Sequence, residues 1–293
     1  MDGIIVVDKP EGWTSHDVVN KLRRIAQTRK IGHLGTLDPF ATGVLPLVIN
    51  RATRLAQFYV HSEKVYDARV RFGYSTDTYD REGTATSPPS DPEISAGVLD
   101  ERLNAFRGEY LLTPPPVSAK KIGGVPAYRF ARQQIEVTLK PVPVHVYELK
   151  VLEVQGSEAH LWVHCSAGTY MRSIAHELGR AFSCGAHLNE LRRLRSGEFT
   201  IEQARTIEQL ESLAAEGQLG DALIPASALL PAFPTVIIDS TTAQFIRQGR
   251  DFPVSPFRSQ PGTEYVKAVS AEGELVAIGQ AKLPHLYHPV VVL

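Results

Sequence analysis

The stretch GHLGTLDPFATG, residues 32–43, concentrates groups that can do chemistry. Gly32, Gly35 and Gly43 admit backbone conformations closed to other residues. Pro39 restricts Asp38 to extended or turn geometry. A carboxylate presented from such a hinged loop can attack a carbon, stabilise a developing cation or take a proton. His33 in the same stretch can stack, hydrogen-bond or titrate. Asp-Pro is also an ordinary turn opener whose carboxylate bonds its own backbone. Elsewhere, Tyr66 lies on the apolar face of an alternating segment, the usual place of a core aromatic. Tyr170 and Arg172 stand near a helix start, where an arginine is normally exposed. His164, Cys165, Cys184 and His187 offer four zinc donors, but neighbours on a strand face opposite ways, and no C-x-x-C pair exists. TDTYD lacks the full calcium-loop pattern, and no GxxxxGK[ST] loop is present. No metal and no nucleotide site is expected.

The elements that must position these groups follow from periodicity. GIIVVD, residues 3–8, reads as a buried strand stopped by Pro10 and Gly12. Thr14 or Ser15 then caps a helix carrying Val18, Leu22, Ile25 and Ala26. Residues 44–49 read as a second buried strand and 52–60 as a helix. From Val65 to Phe72 the pattern alternates, with Tyr66, Ala68, Val70 and Phe72 on one face and Asp67, Arg69 and Arg71 on the other. Residues 75–92 are polar, acidic loop. Ser95 caps a helix bearing Leu99, Leu103 and Phe106. TPPPVSAKKIGG, residues 113–124, is neither helix nor central strand, because proline lacks the donor, and long loops of this kind are functional or mobile. A hairpin over 146–166 turns near Gly156. Thr169 caps a helix with Met171, Ile174, Ala175, Leu178 and Phe182 on one side, and HLNELRRLR starts another helix-like stretch. LLPAFP near 230 reads as a linker. Short strands at 236–239, 265–270, 274–280 and 289–293 then suggest a small β-barrel. Strands and helices do not alternate regularly, which favours α+β over a doubly wound sheet.

Composition narrows the class. The 293 residues are 43% hydrophobic and 22% charged, which is globular and not disordered. No apolar run reaches the ~20 residues that span a bilayer, and the acidic start MDGIIVVDKP is unlike a secretory signal. Two cysteines make no disulfide framework, so a reduced, cytoplasmic setting is expected. The net charge of −1 speaks mildly against a nucleic-acid partner. Basic residues cluster, however, at Arg23, Arg24, Arg29 and Lys30 and again at Arg192, Arg193 and Arg195, and a local basic surface can hold phosphates. On charge alone these are solvated faces.

GHLGTLDPFATG resembles the signature of the TruB family of tRNA pseudouridine synthases. DKPEGWTSHDVV, KVYDARVRFGYSTDTYDREG, CSAGTYMRSIAHELG and AHLNELRRLRSG resemble further motifs of that family in the same order, so the likeness runs over about residues 3–200. The resemblance implies an α+β pseudouridine synthase fold: a large mixed, mainly antiparallel sheet flanked by helices and loops, in residues 1–232. Residues 233–293 resemble, more by texture and position, a PUA-type RNA-binding β-barrel.

The implied activity is isomerisation of the T-loop uridine at standard tRNA position 55. The substrate is tRNA, met at T-loop and T-stem by a monomer. No atoms are gained, so no cofactor is required. By resemblance Asp38 is the catalytic carboxylate, Arg172 keeps it ionised, and Tyr66 stacks on the target uracil. Tyr170 is the second active-site tyrosine, Leu191 lines an apolar pocket, and His33 fills space left by flipped bases. Lys9 belongs to the first motif and is expected to shape the site. Arg192, Arg193, Lys120 and Lys121 are expected phosphate contacts. The alternative is a non-catalytic tRNA-folding chaperone on the same fold. Intact Asp38, Tyr66, Tyr170 and Arg172 favour catalysis, since binding alone needs no carboxylate.

Overall fold

The computed structural model describes residues 1–118, 121–122, 125–126, 139–255 and 263–293, with the backbone alone at 121–122 and 125–126. Its strands are β1 (Gly3–Lys9), β2 (Ile31–His33), β3 (Thr42–Ile49), β4 (Lys64–Phe72), β5 (Gly108–Leu112), β6 (Lys121–Ile122), β7 (Val125–Pro126), β8 (Val142–Gln155), β9 (Glu158–Cys165), β10 (Ala186–Ser196), β11 (Phe199–Thr200) and β12 (Leu223–Pro225). The large sheet runs β12-β1-β3-β10-β4-β9-β8-β5, with β2 on β3 and β11 on β10. Only the β3–β10 pairing within it is parallel.

Helices α1 (Ser15–Ile25), α2 (Ala96–Leu103), α3 (Met171–Ala181) and α4 (Ile207–Ala215) pack around it. The α1 cap is Thr14, whose hydroxyl accepts from the Asp17 N–H at 3.1 Å while Asp17 accepts from the Thr14 N–H at 2.9 Å, a reciprocal capping box.

β1 up to Val7 and β3 from Val44 are apolar runs because both faces are covered. Ile4, Val6, Val44 and Val48 point into one cluster, and Ile5, Val7, Leu45 and Leu47 into another beneath α1 and α4. β4 keeps the expected alternation. Tyr66, Ala68, Val70 and Phe72 join the core under α2 and α3. On the other face Asp67 pairs with His160 at 2.7 Å and Arg69 with Glu158 at 3.2 Å.

Two expectations about the large-sheet part fail. HLNELRRLR is not helical: it is β10, at the middle of the sheet between β3 and β4. Register shifts between Leu188 and Glu190 and between Arg193 and Arg195 break its period of two, so its leucines fall at helix-like spacing. Thr169 does not cap α3. The N-cap is Tyr170, without a side-chain hydrogen bond.

The C-terminal part comprises β13 (Thr235–Ile238), α5 (Ser240–Arg247), β14 (Phe252–Pro253), β15 (Tyr265–Ser270), β16 (Leu275–Leu283) and β17 (Leu286–Val292), with sheet order β13-β15-β16-β17-β14. The helix α5 and the strand β14 are additions to the expected strands. LLPAFP is no free linker. Leu229 and Leu230 are buried in one cluster with Ile4, Val44, Val269, Ile278 and Val291. Lys267 donates to the Ser227 and Leu229 carbonyls at 3.0 and 2.9 Å, and Glu198 accepts from the Leu230 N–H at 3.2 Å. Among the described residues no helix is long and apolar enough to cross a membrane.

Gly43, the second residue of β3, has φ +99°, and a Cβ there would lie 2.3 Å from the Arg193 carbonyl oxygen and 2.8 Å from its nitrogen. Both atoms are backbone of the parallel partner strand and cannot step aside. Gly43→Ala is therefore expected to cost about 2 kcal/mol or more, read as a lower urea midpoint. A change under about 0.5 kcal/mol, the size of an ordinary surface substitution, would contradict the close packing.

Candidate active site

Asp38 stands where the β2–β3 loop meets α3. Its neighbours Leu37 and Phe40 are 4% and 3% exposed and belong to the apolar core that holds Tyr66, Met171 and Leu191. The side chain of Asp38 keeps 32% of its surface open. The loop is thus anchored by its apolar members while its carboxylate is left at the edge of the core.

Three buried groups fix the loop backbone. The hydroxyl of Ser15 accepts from the Leu37 N–H at 2.9 Å and donates to the Leu37 carbonyl at 3.1 Å. Arg193, 1% exposed, donates to the Val44, Thr36 and Gly35 carbonyls at 2.7, 3.3 and 3.1 Å. Lys9, fully buried, spends its three donors on the carbonyls of Pro10, Trp13 and Pro39 at 2.8, 2.6 and 3.0 Å. An ammonium has three donors and no acceptor, so Lys9 has none left for another partner. Burial pulls it down to about 8, against the upward pull of Asp38 and Glu11.

Arg172, in the first turn of α3, meets Asp38 side-on: Nε lies 2.9 Å from Oδ2 and Nη2 donates to Oδ1 at 2.9 Å. Such two-point pairs fix orientation as well as charge. The opposite edge is also held. Nη1 donates to the Thr78 carbonyl at 3.2 Å and lies 3.4 Å from Asp80 Oδ2. Asp80 is 5% exposed and accepts from the Thr78 hydroxyl at 2.6 Å and the Glu82 N–H at 3.1 Å.

Burial raises Asp38 above the ordinary aspartate range, Arg172 and Lys9 pull it down, and Asp80 pushes it up; the result is a raised value. The guanidinium limits the loss of the charged form without cancelling the effect of burial. Further out, Arg81 bridges to Glu11 and its guanidinium lies 5.9 Å from the centre of the Phe40 ring, so the loops after β1 and β4 meet over the Asp38 segment.

The aromatic residues frame this carboxylate. Tyr66, 8% exposed, pairs with Arg193 across β4 and β10. Burial pushes its phenol up to about 12, with Arg193 pulling the other way and Asp38 adding to the rise. It therefore keeps its proton near neutrality. Tyr170 packs half-buried against the same core, and burial raises its phenol while Arg172 and Asp38 act on it. Leu191, 8% exposed, belongs to the same core.

The structure thus pairs Asp38 with Arg172 and sets Tyr66 and Tyr170 near enough to feel the Asp38 charge, while Leu191 joins the same apolar core. His33 ends β2 and accepts from the Gly35 N–H at 3.4 Å; burial, Arg193 and His16 lower its pKa, so it stays a neutral ring.

The basic residues need correction. Arg193 is not a surface phosphate contact: it is a buried clamp on the loop carbonyls. Arg192 is bound through both terminal nitrogens to Asp8, at 3.0 and 2.7 Å, though its side chain is 40% exposed. Lys9, expected to shape the site, is internal too. Lys120 lies outside the described residues, and for Lys121 only the backbone, in β6, is described. Asp80 and Arg81 escaped notice, because a polar loop carries no periodicity to show that one of its acids is buried.

Of the four zinc donors weighed, His164 bonds Glu63 at 2.7 Å, His187 meets the Tyr74 carbonyl at 3.2 Å, and Cys165 is buried in the core. Among the described residues no group of three or more His, Cys, Asp or Glu is placed to hold a metal.

The family model described as TruB family pseudouridylate synthase (N terminal domain) matches residues 23–171, and the tRNA pseudouridylate synthase B C-terminal domain matches residues 172–231. Asp38 and Arg172 fall on either side of that boundary. A tRNA pseudouridine synthase B of Solibacter usitatus is 65% identical over the full length of both chains. One from Syntrophotalea carbinolica is 44% identical over 80% of this chain and 77% of its own. A chain of the crystallised Cbf5–Nop10–Gar1 complex is 28% identical, with a TM-score of 0.71 over 97% of this chain and 79% of that one.

Lys9→Met would leave the Pro10 and Trp13 carbonyls without their donor, while Pro39 keeps the Gly12 N–H at 2.9 Å, and each unpaired buried group costs about 1–3 kcal/mol. Stability is expected to fall by about 2 kcal/mol or more in chemical denaturation. A variant as stable as the parent would show that the clamp is dispensable.

Proposed function

The chain belongs to the TruB family of pseudouridylate synthases, enzymes of tRNA modification, and from that premise we propose that it converts the T-loop uridine at standard tRNA position 55 to pseudouridine with Asp38 as the catalytic carboxylate. The observation that carries the assignment is the side-on Asp38–Arg172 pair, partly open and beside the apolar core that includes Tyr66 and Leu191, with Tyr170 packed against it.

The reaction breaks the N1–C1′ bond and joins C5 to C1′. The C5 proton leaves and N1 gains one, so the base is isomerised without net addition. Asp38 faces the sugar, where the cationic character develops. Arg172 holds the carboxylate in one orientation and disfavours its protonation when RNA excludes water. Tyr66 stacks on the uracil, and its protonated phenol orients the group that accepts the C5 proton. Tyr170 flanks the ion pair. The target lies inside a folded loop and must be everted, at a cost of a few kcal/mol per base. The neutral ring of His33 is suited to fill the vacated space.

Residues 1–232 carry catalysis and 233–293 form a PUA-like module on the same RNA, in a protein acting as a monomer in the cytoplasm. Exposed Arg24, Arg29 and Lys30 are better placed than Arg193 to meet phosphates. A chaperone role alone would leave the oriented carboxylate unexplained.

Incubating a defined tRNA transcript with the purified protein and mapping pseudouridine tests substrate and position together. Asp38→Asn should abolish tritium release from C5-labelled uridine while tRNA affinity stays within about tenfold, because the group acts on the reaction path more than on binding. Near-normal turnover in that variant would remove Asp38 from the mechanism.

The reaction needs the anion, so kcat/KM should fall as pH drops through a value above that of a free aspartate. Asp80 raises Asp38, so Asp80→Asn should move that acid limb to lower pH, whatever it does to the maximal rate. A limb that stays put or moves up would contradict the electrostatic account.

A further inference from the structure

Tyr79 sits between the two residues that grip the outer edge of Arg172. Thr78 supplies the carbonyl that accepts from Nη1, and Asp80 the carboxylate 3.4 Å from the same atom. Its own backbone is left-handed, at φ +66°, a region costly for a bulky residue. Such a conformation persists where surrounding contacts over-determine it. Part of that hold is the β10 backbone: the Leu188 N–H donates to the Tyr79 carbonyl at 3.0 Å. The other part is a ring. Tyr79 stacks on His176 with centroids 3.7 Å apart and planes 9° apart. His176 lies one turn beyond Arg172 on α3. One stretch of α3 thus meets three consecutive loop residues, Thr78 and Asp80 through Arg172 and Tyr79 through His176.

We propose that the Tyr79–His176 stack is a positioning device for the uridine isomerisation, latching the acidic loop to α3 so that Thr78 and Asp80 hold the far edge of the Arg172 guanidinium and thereby aim its near edge at Asp38. The inference rests on the catalytic reading of Asp38 given above. A guanidinium is planar and rigid, so fixing one edge orients the other. Without the stack, the left-handed turn loses a contact that offsets its strain, the loop moves off α3, and the Asp38–Arg172 pair is free to rotate. The two rings act through Arg172 on the reacting centre, so their loss is felt in the rate of the chemical step and not in the hold on tRNA.

The test separates a latch from a mere stabiliser. Glycine suits the left-handed backbone, so Tyr79→Gly removes the ring without straining the turn. Its unfolding midpoint should stay close to the parent's. Its kcat for pseudouridine formation in a tRNA transcript should fall ~10-fold or more, since small misplacements of a reacting pair are costly, with KM within about twofold. Tyr79→Phe keeps the stack and should keep the rate. His176→Ala should repeat the loss, and the double variant should lose no more than either single one, because the same contact is removed. Tyr79→Gly with parental kcat, or losses that multiply in the double variant, would overturn the latch. An unmodified protein that forms no pseudouridine would instead overturn the proposed function.

Discussion

A carboxylate at the edge of an apolar core, in a site that the proposed RNA substrate would cover, can stay charged only beside a cation that water does not have to supply. Arg172 is that cation, and much of the molecule serves to keep it against Asp38. The two residues come from distant parts of the chain, one from a loop feeding β3 and the other from the first turn of α3, and the sheet between them sets their distance. The arrangement is a compromise. Burial and the second acid, Asp80, raise Asp38, while the guanidinium lowers it. Asp38 therefore keeps more basicity than a free aspartate, which suits a group that must respond to a developing positive charge.

Two other buried cations do a different job. Lys9 and Arg193 pair with no acid in their hydrogen bonding: they hold backbone carbonyls. A glycine-rich loop has many conformations, and its carbonyls would otherwise turn to water. Drawing three of them, those of Gly35, Thr36 and Pro39, onto two rigidly housed side chains converts that freedom into one shape. Charge is spent here on conformation and not on recognition, which is how a chain of net charge −1 can bury basic residues beside a proposed site for a polyanion.

Much of this was readable beforehand, for physical reasons that differ from element to element. The turn chemistry around Asp38 and the alternation of β4 are local, so both showed in the residues themselves. The continuous apolar runs of β1 and β3 marked two covered faces. β10 misled because two bulges replaced its alternation with leucine spacing that suits a helix. Arg193 misled because an arginine surrounded by carbonyls looks, in one dimension, like any arginine in a basic run. Arg172 was singled out by its likeness to a motif, not by its own neighbourhood. Tyr79, Asp80 and His176 needed three dimensions, since their meaning lies in which helix the loop touches. In the C-terminal part, strand texture announced the sheet, while α5 was hidden in a short polar run.

The seam between the two parts of the chain has a practical side. Ile4, Val6, Val44 and Val48 of the large sheet share one apolar cluster with Val269, Leu275, Ile278, Val291 and Leu293, and Phe58, Phe233 and Tyr265 interlock across the same seam. Cutting after residue 232 would not yield a tidy minimal enzyme. It would strip the cover from an oily flank whose strands carry the Asp38 loop, and the fragment would be prone to stick to its own copies. For this chain, engineering by subtraction is better replaced by grafting a new outer surface onto the intact C-terminal sheet.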